Sequence, residues 1–259
     1  MMTDGDSSTT GRGLPLRGAV NARDLGGLRT ADGRRVRRLR VLRSDLLTEL
    51  DTDDVDFLLG DCGLRTIIDL RAPGEITTDG SGRMADRVTV HNTHVHGADR
   101  VRLDLAAVSP EGNIVERYVQ YLDHSSANIA AALDLLATAE HLPALVHCAA
   151  GKDRTGVVIA LLLALVGVRA DDIVADYAAT TPNIAALRAR SARARTARAG
   201  SVAVDRLPAW VFAADASTMR QFLAHLDAEH GGAVGWATRA GLDQATRERL
   251  ADNLLTPPR

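Results

Sequence analysis

The sequence predicts an α/β domain whose central, mostly parallel sheet is flanked by helices. Short apolar runs typical of buried strands, such as 64–70 and 143–147, alternate with longer segments of helical periodicity. Strands that are joined by helical crossovers favour a parallel sheet. The 259 residues suffice for a substantial core, and we see no internal repeat or linker. We therefore expect one domain over 14–259, preceded by a disordered polar tail at 1–13.

The individual elements follow from local patterns in chain order. In the first half we predict, in sequence, the turn 21–27, the strand 35–42, the helix 52–59, and the strands 64–70 and 87–95. In the second half we predict the helices 114–122 and 129–136, the strand 143–147, and the helices 157–166, 171–177, 217–229 and 243–255. The apolar helix 157–166 is expected to be hidden on all sides.

The arginine-rich segment 187–200 allows two interpretations. Its five arginines point all around a helical cylinder, which leaves no face for deep docking beyond alanine. The first interpretation is a solvated surface helix. The second is a lid near the functional site, within a candidate lid region at about 178–215, that attracts polyanionic substrates.

Composition excludes several classes of function. The net charge of −2 gives no global field for a nucleic acid or a membrane surface, and an aromatic content of 3% leaves few platforms for stacking bases. The longest apolar run, about 10 residues, is too short to span a bilayer. No apolar leader follows the polar N-terminus. We expect a cytoplasmic protein with no nucleic-acid partner and no stable membrane insertion.

The most informative stretch connects the strand 143–147 to the helix 157–166. Its tight loop carries Cys148, Gly151 and Arg154, and such a strand–loop–helix passage gathers backbone N–H groups at a helix N-terminus, where anions bind. The same field favours the thiolate of Cys148 over the thiol. The planar guanidinium of Arg154 could hold two phosphoryl oxygens. A nucleophilic thiolate in a phosphate cradle implies a phosphocysteine intermediate.

The ten residues 147–156, HCAAGKDRTG, contain the His-Cys-x5-Arg signature of cysteine-dependent tyrosine and dual-specificity phosphatases. The fuller pattern resembles the bacterial atypical lipid, or triple-specificity, phosphatases, which share HCxxGKDRTG. Further segments resemble recurring parts of that family in the same order, over roughly residues 20–255: these are 21–27, 42–44, 68–71 with Glu75, and 176–177. The resemblance implies a protein-tyrosine-phosphatase-like fold with a helical cover after the loop helix.

The expected phosphate-binding residues are consecutive in the loop: Ala149, Ala150, Gly151, Lys152, Asp153 and Arg154. His147 is expected to stabilise the loop by bonding to backbone, as the resemblance implies, and Thr155 to support it. Lys152 is either a plain surface lysine or a cradle residue, and in similar phosphatases a loop lysine accompanies substrates with extra phosphate, such as phosphoinositides.

Several carboxyl groups are candidates for the general acid that protonates the leaving group. Asp153 lies on the loop within reach of a leaving oxygen, although a helix N-terminal aspartate can equally just complement the helix dipole. Asp69 is the second candidate, at the carboxyl end of a predicted parallel strand. Asp99 and Asp104 come third. The tyrosine phosphatases' Trp-Pro-Asp loop is absent from the sequence, because neither tryptophan has that context.

No cofactor or metal is expected. His94 and His96 alternate along a predicted strand, but the sequence shows no third ligand for a metal. A nucleotide-binding P-loop would need Ser or Thr after Lys152 and glycine at position 146, where Asp153 and Val146 stand. A sulfurtransferase also uses a cysteine in an anion-binding loop, but the Arg-Thr-Gly sequence that leads into a buried helix fits a phosphate site better.

The sequence therefore predicts a phosphomonoester hydrolase that acts on phosphotyrosine, phosphoserine or phosphothreonine proteins, and on phosphoinositides. Two alternatives remain, a phosphatase of a small metabolite and a non-catalytic phosphate-binding module. The partners expected in each case are phosphorylated proteins, lipids or small molecules.

Overall fold

The structure is a computed structural model that describes residues 11–96, 113–196 and 209–257. The acid candidates Asp99 and Asp104, most of the predicted tail and the end of the arginine-rich segment lie outside the described residues. Arg12 belongs to the predicted tail, yet it is buried and ion-paired with Asp176 at 2.8 Å. The folded part therefore begins before the predicted boundary at residue 14.

A five-stranded sheet lies at the centre of the fold, in the order β1-β2-β5-β3-β4. Its strands are β1 Arg23–Asp24, β2 Val41–Ser44, β3 Thr66–Asp69, β4 Thr89–Asn92 and β5 Ala144–His147. β1 runs antiparallel to β2, and the three remaining pairings are parallel. The predicted mostly parallel α/β sheet is confirmed.

Helices cover both faces of this sheet. Those of the first half are α1 Thr52–Asp56, which continues into a π-helical turn Phe57–Asp61, and α2 Pro73–Asp79. Those of the second half are α3 Ile114–His124, α4 Ser126–Ala137, α5 Asp153–Leu165, α6 Ala170–Ala178, α7 Ile184–Thr196, α8 Ala216–His230, α9 Gly232–Arg239 and α10 Gln244–Leu254. None of the helices within the described residues is long and apolar enough to cross a membrane.

The two faces of the sheet bury separate apolar clusters because side chains alternate along each strand. On β5, Leu145 belongs to a small cluster with α1, whereas Ala144 and Val146 belong to the large cluster with the later helices. Helix α5 lies in the large cluster, and residues 157–163 are all buried. This agrees with the helix expected to be hidden on all sides, and it fixes the loop before α5 on a rigid base.

Several boundaries differ from the predictions. The strand expected over 35–42 is β2 at 41–44, because Arg35 and Val36 instead form isolated bridges to Arg29 and Leu255. The strand expected over 87–95 shortens to the edge strand β4. Helices α2 and α9 were not predicted, although Pro73 occupies the first turn of α2, where proline is well tolerated.

Candidate active site

Three parallel strands end side by side at the site. His147, the last residue of β5, pairs in register with Ser44 at the end of β2 and with Asp69 at the end of β3. Cys148 follows directly, so it lies at the carboxyl edge of the sheet, where ligands of α/β folds gather. The loop 148–152 then leads into α5, which begins at Asp153.

Gly151 is required in this loop for two reasons. Its φ is +63°, the left-handed region that L side chains rarely adopt. A Cβ atom there would also overlap the carbonyl oxygen of Ser44. The loop therefore folds back against the end of β2, and the left-handed residue curves its backbone into the concave form that binds anions.

The loop carbonyls all point outward, and each has a donor. His147 Nδ1–H donates to Cys148 O at 3.2 Å. The remaining donors are Leu46 N to Ala149 O at 3.1 Å, Asn21 Nδ2 to Ala150 O at 3.0 Å and Gly151 O at 3.2 Å, and Arg43 Nη2 to Gly151 O at 2.7 Å.

Outward carbonyls imply inward amides. In a trans peptide the C=O and N–H bonds point in opposite directions. The N–H groups of residues 149–152 therefore face the concave side of the loop, and within the described residues they have no hydrogen-bond acceptor. Four convergent N–H donors at a helix N-terminus make a site for a tetrahedral oxyanion.

Cys148 lies buried at the base of this cradle, with 2% of its surface exposed. Arg154 is the second residue of α5. Burial alone would lower the pKa of Arg154, but the charge of Cys148 and the pairing with Glu75 raise it well above its ordinary value. The guanidinium of Arg154 therefore stays charged next to Cys148, which is the arrangement that a cysteine nucleophile needs.

Glu75 is a site residue to which sequence reasoning gave no role. Its carboxylate accepts from Arg154 Nη1 at 2.5 Å and from Nη2 at 2.9 Å. It also accepts from Ala72 N at 2.9 Å, which fixes it in the first turn of α2. Burial alone would raise the pKa of Glu75, yet the bonds from Arg154 lower it. This bidentate pair sets the plane of the guanidinium. Nη1 also donates to Leu70 O at 3.5 Å, which leaves Nε–H and the second N–H of Nη2 for a ligand.

Asp153 is held by a chain of two tyrosines. Tyr118 OH donates to Asp153 Oδ1 at 2.7 Å, and the Tyr177 hydroxyl lies 2.7 Å from that of Tyr118. Burial raises the pKa of Tyr118 well above its ordinary value, so this phenol stays protonated and remains a donor. The carboxyl group of Asp153 is a quarter exposed, and its second oxygen is not engaged by these contacts.

Lys152 is not the plain surface lysine of the first interpretation. Its residue is 3% exposed, and its Nζ donates to Val211 O at 2.7 Å and Ala213 O at 3.0 Å. Nζ also lies 3.1 Å from Asp153 Oδ1. An ammonium group has three N–H donors, so these three acceptors use its full capacity.

Asp69, the second acid candidate, is buried against Arg71. Its carboxylate accepts from Arg71 Nη2 at 2.6 Å and from the Arg71 backbone N at 3.0 Å, and lies 3.7 Å from His147 Nε2. Burial alone would raise the pKa of Asp69, but the Arg71 bonds lower it. Burial lowers the pKa of His147, so this ring is neutral. Asp69 is therefore an ionised anchor for Arg71, which disfavours it as a proton donor.

Thr155 is the last of the predicted site residues. It is fully buried in the first turn of α5, and its Oγ1 has no hydrogen-bond partner in the part of the chain that the structure describes.

Among the described residues, no group of three His, Cys, Asp or Glu side chains is placed to hold a metal ion. The rings of His94 and His96 stack on each other with centroids 5.4 Å apart.

A buried cysteine in the loop between a strand and a helix, ringed by inward N–H groups and facing an arginine, defines the class of cysteine-dependent phosphatases. The sequence profile of the tyrosine phosphatase family matches residues 14–256. The chain belongs to this tyrosine phosphatase family, and it is a phosphatase of the protein-tyrosine-phosphatase type.

Two relatives illustrate the family. The chain is 30% identical to the triple specificity protein phosphatase PtpB of Mycobacterium tuberculosis, over 93% of this chain and 98% of PtpB. It is 34% identical to a tyrosine-protein phosphatase of Nostoc commune, over 51% of this chain and 44% of that protein. Among solved structures, the catalytic core of Siw14 matches 79% of this chain and 89% of its own, with 15% identity and a TM-score of 0.37.

Proposed function

We propose that this phosphatase hydrolyses phosphomonoesters through a phosphocysteine intermediate on Cys148. The observation that carries the proposal is the set of four inward N–H groups, at residues 149–152, around a cysteine that follows the strand end. These donors match the non-bridging oxygens of a phosphoryl group and stabilise the charge that develops on them. Arg154, oriented by Glu75, supplies two further N–H donors from one side.

The first half-reaction is a displacement at phosphorus. The Cys148 thiolate attacks, the new S–P bond forms as the P–O bond to the leaving group breaks, and the departing oxygen takes a proton. In the second half-reaction water attacks the phosphocysteine, the S–P bond breaks, and inorganic phosphate leaves. The N–H cradle holds the same three oxygens throughout, so no rearrangement of the loop is needed between the steps.

Asp153 is the proton donor in this proposal. Tyr118 donates to Oδ1, and Lys152 lies against the same oxygen, so Oδ2 is the atom that carries the transferable proton. Once Oδ2 has given up that proton, it can accept one from the attacking water. Asp69 lacks this freedom because Arg71 binds its carboxylate.

The substrate class we propose is phosphotyrosine, phosphoserine and phosphothreonine in proteins, with phosphoinositides as further substrates. Support comes from the similarity to PtpB, whose name states triple specificity, and from Lys152 beside the cradle. For Lys152 to bind an extra phosphate, its bonds to Val211 and Ala213 must first exchange. Since the thiol of Cys148 must stay reduced to act, we place the reaction in the cytoplasm.

We also propose that α7 and residues 209–214 form the lid. The expectation that α7 lacks a docking face is wrong, because Leu187 and Arg190 are buried on one side of it. Arg190 donates to Asp45 Oδ2 at 2.8 Å. Arg188 lies 4.5 Å from the centre of the Phe212 ring, next to the carbonyls that bind Lys152. Phe212→Ala should loosen this cover and lower KM for bulky phosphopeptides more than for p-nitrophenyl phosphate.

The direct test is a substrate panel with the purified protein and its Cys148→Ser variant. Phosphotyrosine, phosphoserine and phosphothreonine peptides, phosphoinositides and nucleotide monophosphates are compared by phosphate release. Turnover that Cys148→Ser abolishes and that metal chelators leave unchanged would support the proposal. Turnover retained by Cys148→Ser, or lost with a chelator, would refute it. Preference for the nucleotides would favour the small-metabolite alternative.

A further inference from the structure

A buried arginine cluster lies behind the phosphate cradle. It consists of Arg12, Arg23, Arg43 and Asp176, in which the three guanidinium groups approach the carboxylate at 2.8, 3.2 and 2.6 Å. All four residues are at least nine-tenths buried. Three positive charges around one negative charge leave a formal excess of two. Burial of uncompensated charge is costly, so a purely structural core would gain little from this arrangement.

The pKa shifts of Asp176 and Arg23 reflect the strong interaction between the charges of this cluster. Burial alone would raise the pKa of Asp176, but Arg23, Arg43 and Arg12 together lower it well below its ordinary value. Burial and the nearby charge of Arg43 lower the pKa of Arg23 to about 10. Arg23 and Asp176 are therefore both ionised at neutral pH.

The cluster reaches the cradle through two residues. Arg43 bonds Asp176 Oδ2 with Nη1 and Gly151 O with Nη2, at 2.6 and 2.7 Å. Asn21 accepts from Arg23 Nη1 at 2.8 Å, and its Nδ2 donates to Ala150 O and Gly151 O. Two of the four outward loop carbonyls are therefore bonded from the cluster side.

We propose that Asn21 and Arg43 are positioning residues for phosphate binding. By fixing the carbonyls of Ala150 and Gly151, they turn the N–H groups of Gly151 and Lys152 toward the phosphoryl oxygens. The cationic bond to Gly151 O also polarises that peptide, which strengthens its N–H as a donor. This inference rests on the proposed function of the cradle.

The competing explanation is that the cluster only joins α6 to β2. A joint of that kind would affect stability and leave ligand affinity alone. Asn21 separates the two explanations, because its Nδ2 bonds the loop carbonyls and, within the described residues, it forms no hydrogen bond with Asp176. Asn183 is a matched control: its Nδ2 donates to Asn21 Oδ1 at 3.3 Å, and within the described residues it forms no hydrogen bond with the loop carbonyls.

The experiment measures the affinity for inorganic phosphate by calorimetry and for vanadate by inhibition, with Tm measured in parallel. We expect Asn21→Ala and Arg43→Lys each to weaken both anions about tenfold, as the loss of one or two buried hydrogen bonds predicts. Lysine keeps the charge at position 43 but cannot bond Asp176 and Gly151 together. Asn183→Ala should bind both anions like the wild type. The ratio of alkyl to aryl phosphate turnover should be unchanged in every variant, since the proton donor is untouched.

The outcomes of this experiment either support or contradict the positioning role of Asn21 and Arg43. Anion affinities of Asn21→Ala within about twofold of the wild type would overturn the proposal, whatever happens to Tm. If Arg43→Lys does not fold, Asn21→Ala alone decides the matter. A wild-type protein that binds neither anion would overturn both this inference and the cradle. Anion binding that the variants weaken, in a protein with no turnover, would uphold the positioning role and refute the proposed function.

Discussion

Replacing Asp153 with asparagine tests its role as proton donor, because asparagine has nearly the same shape but no carboxyl proton. The amide oxygen of the asparagine could still accept the Tyr118 hydroxyl bond, because it would occupy the place of Asp153 Oδ1, which lies 2.7 Å from that hydroxyl. The substitution removes the carboxyl proton at Oδ2, together with the negative charge that an ionised Asp153 presents to Lys152 and to the N-terminus of α5. We expect turnover of an alkyl phosphate such as phosphoserine to fall about 10²–10⁴-fold, the usual size of general acid catalysis.

The expected loss depends on the leaving group. p-Nitrophenolate departs without a proton, so Asp153→Asn should slow its phosphate ester only slightly. The competing role for Asp153 is to complement the dipole of α5, which is worth roughly 0.3–1 kcal/mol. Asp171 is the matched control, since it is exposed in the first turn of α6. Asp171→Asn should reproduce any dipole effect on Tm with no effect on either substrate.

The assay compares kcat/KM for both esters in the three proteins. An alkyl-to-aryl ratio that falls at least about tenfold in Asp153→Asn alone would support the assignment. Equal slowing of both esters would refute it, and would make Asp153 a residue that shapes the loop. The donor would then have to be sought outside the described residues, among Asp99 and Asp104, or at Asp69.

Three further predictions test the surroundings of Cys148. Arg154→Lys should lower kcat/KM about 100-fold through loss of bidentate bonding, whereas the exposed control Arg249→Lys should have no effect; near-normal activity of Arg154→Lys would make the arginine structural. Burial holds the folded-state pKa of His147 below its ordinary 6.5, so the stability that this residue contributes is complete above pH 6.5 and is lost as the pH falls. His147→Asn should therefore flatten the decline of Tm below pH 6.5. Parallel curves of Tm against pH for the wild type and the variant would contradict this. Asp176→Asn should destabilise the protein by about 3–5 kcal/mol in urea unfolding, because three buried arginines lose their counter-charge, and a loss under about 1 kcal/mol would contradict that view.

The cradle could be predicted from sequence because its determinants are consecutive. A strand, a glycine and an apolar helix within 25 residues fix the loop, and the thiol and arginine follow at set positions in it. The mostly parallel sheet was predictable for the same reason, since alternating strands and helices are local patterns.

The contacts that support the cradle could not be derived from local patterns, because they come from distant parts of the chain. Only the family resemblance singles out 21–27, 42–44 and Glu75, and it assigns them no contact. Asn21 and Arg43 contact Gly151 across more than 100 residues, and Glu75 meets Arg154 across 79. Each is a polar residue in a short segment with no periodic signal. The buried side of α7 was missed for a different reason, since an arginine counts as polar in any pattern even when, like Arg190, it is paired and buried.

The central claim, that Cys148 carries the phosphoryl group, is tested most directly by trapping the intermediate. The protein is mixed with a phosphate ester, quenched in acid within the first turnover, digested and analysed by mass spectrometry. We expect one added phosphoryl group on the peptide that contains Cys148, appearing before free phosphate reaches its steady rate, and no such adduct in Cys148→Ser. Turnover without any adduct, or an adduct on another residue, would contradict it.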